Sequence, residues 1–158
     1  MANSNIIKLV ISLIITVGLG SLGGIFTISE IPNWYAGLQK PSFNPPNWLF
    51  GPVWTLLYIL MGISVYLIWK QPVSTERNIG LMLFALQFVL NFCWSIIFFK
   101  QHQLGWALVE IIVMWIFILL TIIWFGKMSS VASWLLVPYI SWVSFAAILN
   151  AAIWKLNS

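Results

Sequence analysis

The residues best equipped for chemistry in this chain are three amides and several large aromatic rings, all inside long apolar runs. Gln87, Asn91 and Asn150 are surrounded by Leu, Ile, Val and Phe. An amide left unpaired there is costly, so each must turn inward to a polar group or a ligand. Helical spacing sorts the candidates onto faces. Trp54, Tyr58, Met61 and Val65 share one stripe; Phe84, Gln87, Asn91, Trp94 and Phe98 share a second. Pro138, Trp142, Ala146 and Asn150 recur every fourth residue on a third. Two roles fit the amides: interhelical hydrogen bonds worth about 1 kcal/mol each, or polar handles in an aromatic cavity. The tryptophans offer flat faces for a planar apolar ligand.

Conventional catalysis finds few tools here. Cys93 and His102 are the only cysteine and histidine, too few for a zinc cage or a Cys/His nucleophile pair. No metal or other cofactor is expected, and no disulfide can form within the chain. Glu110 is the one acidic residue within an apolar run. It is either a functional intramembrane carboxylate or a side chain close enough to its helix start to reach headgroups.

The elements that position these residues follow from composition. The 158 residues are 61% hydrophobic and 6% charged, against roughly 25% charged in soluble domains. So few charges cannot cover a water-soluble surface, and lipid must be the solvent. Long continuous apolar runs without period-two alternation then select helices over a barrel. Five runs reach the span of about 20 residues that a bilayer demands: 6–28, 48–69, 79–99, 104–125 and 131–154. The fold class is therefore an all-α, five-transmembrane-helix bundle forming a single domain, integral to the membrane and multi-pass. The first run lacks a clear small-x-small cleavage site and reads as a retained helix, with Gly20 and Gly24 permitting close packing. Pro138 should kink the fifth helix.

The net charge of +4 points to no nucleic-acid partner, because the basic residues are scattered at the ends of apolar runs, where interfacial cations belong. Lys8, Lys70, Arg77 and Lys127 fall on one side, with Lys40, Lys100 and Lys155 on the other, which leaves orientation open.

Residues 29–47 form the longest connection, SEIPNWYAGLQKPSFNPPN. Pro32, Pro41, Pro45 and Pro46 stiffen it, and Trp34, Tyr35 and Phe43 make it aromatic. It is either a lid over a cavity or an interfacial belt. As a lid it would carry Trp34 and Phe43 across the mouth and leave Lys40 near water, able to meet an acidic group on the ligand.

Three stretches carry a family resemblance: WYAGLQKPSFNPPNWLFGPVWTLLYILMG at 34–62, QFVLNFCWSIIFF at 87–99 and LLVPYISWVSFAAILN at 135–150. Together they resemble the translocator protein family (TspO, tryptophan-rich sensory proteins), in a bacterial-type form, over nearly the whole chain. The resemblance implies five packed helices, often as homodimers, around a cavity that binds porphyrins and similar flat hydrophobic molecules. By motif match, the ligand-binding set is Trp34, Lys40, Pro41, Trp54, Tyr58, Gln87, Asn91, Ser95, Trp142 and Ala146. The implied function is a membrane receptor or carrier of porphyrins. The alternative is an enzyme that degrades porphyrin by light-dependent oxidation, with Trp54 and Trp142 as its reactive residues. The stretch LNAAIWK at 149–155 lacks the central Tyr of the animal sterol motif, itself a weak pattern.

Overall fold

A computed structural model describes the backbone of residues 2–158 and the side chains of residues 4–158. Among the described residues five helices are long and apolar enough to cross a bilayer: α1 (Ser4–Tyr35), α2 (Asn47–Trp69), α3 (Thr75–Lys100), α4 (Leu104–Gly126) and α5 (Ser130–Asn157). No strand occurs among the described residues. Large apolar side chains such as Ile14, Leu56 and Val89 face outward, as lipid-solvated helices require. The chain is an integral, multi-pass membrane protein of the expected all-α class.

Short turns make successive helices antiparallel. The start of α1, residues 70–74 and residues 127–129 mark one end of the bundle, called here the N-terminal side. Residues 36–46, the turn 101–103 and the end of α5 mark the other, the loop side. Ser74 and Ser129 cap their helices, Oγ accepting the N–H of Arg77 at 3.2 Å and of Ala132 at 3.3 Å. The Ser74 cap starts α3 ahead of the expected position 79, through a polar first turn that hydropathy does not register.

The first helix also differs from expectation. Pro32 and its polar neighbours predict an end near residue 28, yet helical structure continues through Tyr35. The proline falls where the α-helix passes directly into a wider, π-type segment, Ile31–Tyr35, so the continuing helix does without one interior N–H. Asn33 Nδ2 donates to the Ser29 carbonyl at 2.8 Å, serving the backbone beside the proline. Tyr35, 3% exposed, then packs against Phe98 and Phe99. That burial rewards continuing the helix, and the connecting loop shortens to 36–46.

Pro138 interrupts α5 as expected, by starting a new helix. The chain is helical over Ser130–Leu135 and again over Val137–Asn157, with Pro138 in the first turn of the second segment.

The core divides in two. One cluster on the N-terminal side joins Met61, Ile68, Ile118, Phe125, Leu136 and Tyr139. A smaller cluster on the loop side holds Tyr35, Phe98, Phe99, Leu104, Leu149 and Ile153. The space between them is not filled.

A cavity between the two cores

That space is a cavity of about 410 Å³, within the roughly 300–1,000 Å³ typical of small-molecule sites. Its aromatic walls come from Trp54 and Tyr58 on α2, Trp94 and Phe98 on α3, and Trp142 on α5. Trp54 stacks on Tyr58 with centroids 5.5 Å apart, and Trp142 meets Phe50 edge-on at 6.1 Å. Those contacts hold the rings in place at the cavity wall. Among the described residues, no charged one lines it.

The polar groups are held by a chain of hydrogen bonds. Tyr58 Oη donates to Asn91 Oδ1 at 3.0 Å, Asn91 Nδ2 donates to Tyr139 Oη at 3.2 Å, and Tyr139 Oη donates to Gln87 Oε1 at 2.8 Å. Asn150 bridges in the same manner, accepting from Trp94 Nε1 at 3.2 Å and donating to the Leu104 carbonyl at 2.9 Å. An amide offers two N–H donors and two oxygen lone pairs, so Asn91 and Asn150 each retain capacity for a ligand. The first of the two roles, interhelical hydrogen bonding, is met by all three amides. They tie helices together, and Asn91 and Asn150 also border the cavity.

Of the residues singled out from sequence, Trp54, Tyr58, Asn91, Ser95, Trp142 and Ala146 line this one space. Four others sit elsewhere. Gln87 is 1% exposed, one turn deeper than Asn91, with Nε2 unpartnered beneath Tyr139. Trp34 stacks on His102 at 4.1 Å and meets Phe98 edge-on at 5.6 Å. His102, whose φ of 57° is the one positive value at a non-glycine among the described residues, also places Nε2 3.2 Å from Glu30 Oε2. Trp34 thus fastens the end of α1 to the α3–α4 turn. Lys40 Nζ donates to the carbonyls of Leu38 at 2.9 Å and Ala36 at 3.2 Å, over the Tyr35 ring. Pro41 lies in a loop turn, its carbonyl accepting the Asn44 N–H at 3.0 Å.

The loop is pinned. Gln39 N–H donates to Asn157 Oδ1 and Asn157 Nδ2 returns a bond to the Gln39 carbonyl, both at 2.9 Å. Tyr35 Oη donates to Asn44 Oδ1 at 2.7 Å, and Phe43 packs on Phe145. Residues 36–46 contribute nothing to the cavity wall. Glu110 is also outside it; both carboxyl oxygens are buried without a hydrogen-bond partner.

Several wall residues escaped the sequence reading. Ser21, Gly24, Ile28 and Ile31 on α1 recur at intervals of three and four, as do Trp48, Gly51 and Thr55 on α2, in step with the predicted Tyr58. Small and hydroxyl residues at that spacing on apolar helices were the available signal.

Fold and site together define a five-helix membrane protein with an aromatic, amide-bearing cavity inside its bundle. The TspO/MBR family profile matches residues 10–155, and the chain belongs to that family. It is 45% identical to the tryptophan-rich protein TspO of Archaeoglobus fulgidus, over 98% of this chain and 99% of the relative. The human translocator protein is 41% identical over 86% of this chain and 82% of its own length. The tryptophan-rich sensory protein of Cereibacter sphaeroides is 35% identical over 78% and 77%.

Proposed function

We propose that this protein is a membrane receptor or carrier for porphyrins and similar flat, largely apolar molecules, held in the cavity between the two cores. The observation that carries the reading is the wall itself: tryptophans from α2, α3 and α5 around a space bordered by two amides and no charge. Ring faces supply stacking, and Asn91 and Asn150 set orientation through their unused donors and acceptors. The wall holds no histidine or cysteine, and Tyr58 gives its proton to Asn91, which suits a free-base ring better than an axially ligated haem. Acidic substituents on such a ring would stay at the rim, because burying a carboxylate without a countercharge is costly.

Titration with protoporphyrin IX in detergent tests this. Trp54→Ala and Trp142→Ala should each weaken binding by about 2 kcal/mol, roughly thirty-fold, as expected for a buried aromatic anchor. Both variants should keep the wild-type melting temperature to within a few degrees. Unchanged affinity in both folded variants would remove the proposal.

A further inference from the structure

The cavity has an opening, and its position follows from which wall residues are exposed. Asn47, Trp48, Gly51 and Thr55 on α2 and Ser21 and Ile28 on α1 are exposed, whereas every wall residue from α3 and α5 is buried or half-buried. The gap therefore lies between α1 and α2. Glycines show where it begins. A Cβ on Gly62 would fall 2.6 Å from Thr16 Oγ1, and one on Gly20 would fall 2.6 Å from the Tyr58 ring, so the helices touch there. A Cβ on Gly24 or Gly51 would meet nothing within 4 Å. From Gly20 toward the loop side the two helices part.

The depth of this gap matters as much as its place. Thr55 lies eight residues into α2 from Asn47, or about 12 Å along the helix axis at 1.5 Å per residue. With a hydrocarbon core of about 30 Å, the opening runs from the headgroup level well into the acyl chains. Ile28 and Trp48, 73% and 71% exposed, stand at its edges facing lipid. The loop is itself tied down, Gln39 and Asn157 clasping each other at 2.9 Å, and none of residues 36–46 borders the cavity.

We infer that ligand exchanges sideways with the bilayer through the α1–α2 window, so the substrate class is a membrane-dissolved amphiphile. Its flat apolar body slides between Gly24 and Gly51, and its charged edge stays at the headgroup level near Asn47 and Trp48. This rests on the receptor reading for the ligand's identity, but the window itself does not.

Two measurements separate those claims. A nitroxide attached at Ala146→Cys in a Cys93→Ala background, with the protein in nanodiscs, reports which relaxant reaches the cavity. Lipid-soluble oxygen should reach it far more readily than a water-soluble nickel chelate; the opposite order would overturn the inference. Stopped-flow exchange of protoporphyrin IX in nanodiscs supplies the second. Gly51→Phe, which narrows the window, should slow association and dissociation together by about tenfold, whereas a Gln39→Cys/Asn157→Cys disulfide in the Cys93→Ala background should change both by less than about twofold. Arrest of exchange by the disulfide, or unchanged rates in folded Gly51→Phe, would each overturn the sideways route. A wild-type protein that binds no protoporphyrin would sink the receptor reading alone, and the nitroxide measurement would still decide the window.

Discussion

The two ends of this bundle are built from similar residues to opposite effect. On the N-terminal side, glycine lets helices touch: Gly62 sits against Leu13 and Thr16, and Gly80 against Phe125 and Met128. Met61, Ile118, Phe125 and Tyr139 are fully buried there. On the loop side, Gly24 and Gly51 face open space, and tryptophans border a void instead of filling one. In a bilayer the hydrophobic effect does not drive helices together, so close packing and hydrogen bonds must do so. The dense end supplies that cohesion and allows the other end to stay hollow.

The sharpest way to break this contrast is to delete one ring from each end. Phe125→Ala, which removes a fully buried ring stacked on Phe84, should cost about 3–5 kcal/mol of stability. Trp142→Ala, beside space that is already empty, should cost less than about 1 kcal/mol. Chemical or thermal denaturation in detergent would measure both, and equal losses would erase the distinction.

Adding bulk should reverse the pattern. Gly62→Leu must displace Thr16 and the Leu13 backbone, 3.2 Å from the new Cβ at its α-carbon, and should cost about 3 kcal/mol by overpacking. Gly24→Leu meets nothing and gains helix propensity, so its stability should hold or rise while protoporphyrin affinity falls. A folded, fully stable Gly62→Leu would show that the dense end has slack.

Asn91 tests the seam between the two ends, since it belongs to both the helix-bridging chain and the cavity wall. Asn91→Leu strands the Tyr58 hydroxyl and should cost about 1–2 kcal/mol, together with weaker ligand binding. A loss of stability with normal affinity would assign this residue to packing alone.

The smallest effect is expected at Lys40. Its ammonium is occupied by the Ala36 and Leu38 carbonyls, so Lys40→Ala should change stability by no more than about 0.5 kcal/mol and leave protoporphyrin affinity near wild type. A large affinity loss would return the loop to a direct role in binding and weaken the contrast between a pinned top and an open side.

Lipid solvation, five spans and three aromatic or amide-bearing stripes were legible in the sequence, because each depends on local properties: run length, charge density and helical period. The proline in α5 was legible for the same reason, since a missing N–H acts within one turn. The length of α1 was not. Pro32 argues locally for a stop, and only burial of Tyr35 against Phe98 and Phe99, more than sixty positions further on by residue number, outweighs it. The site shows the same division. Gln87 and Asn91 share a stripe one turn apart, yet Asn91 borders the cavity and Gln87 lies sealed under Tyr139. A helical period says which residues share a face. What that face meets, a packed ring, an empty space or the bilayer, depends on how far neighbouring helices stand apart, and in this bundle α1 and α2 separate beyond Gly20.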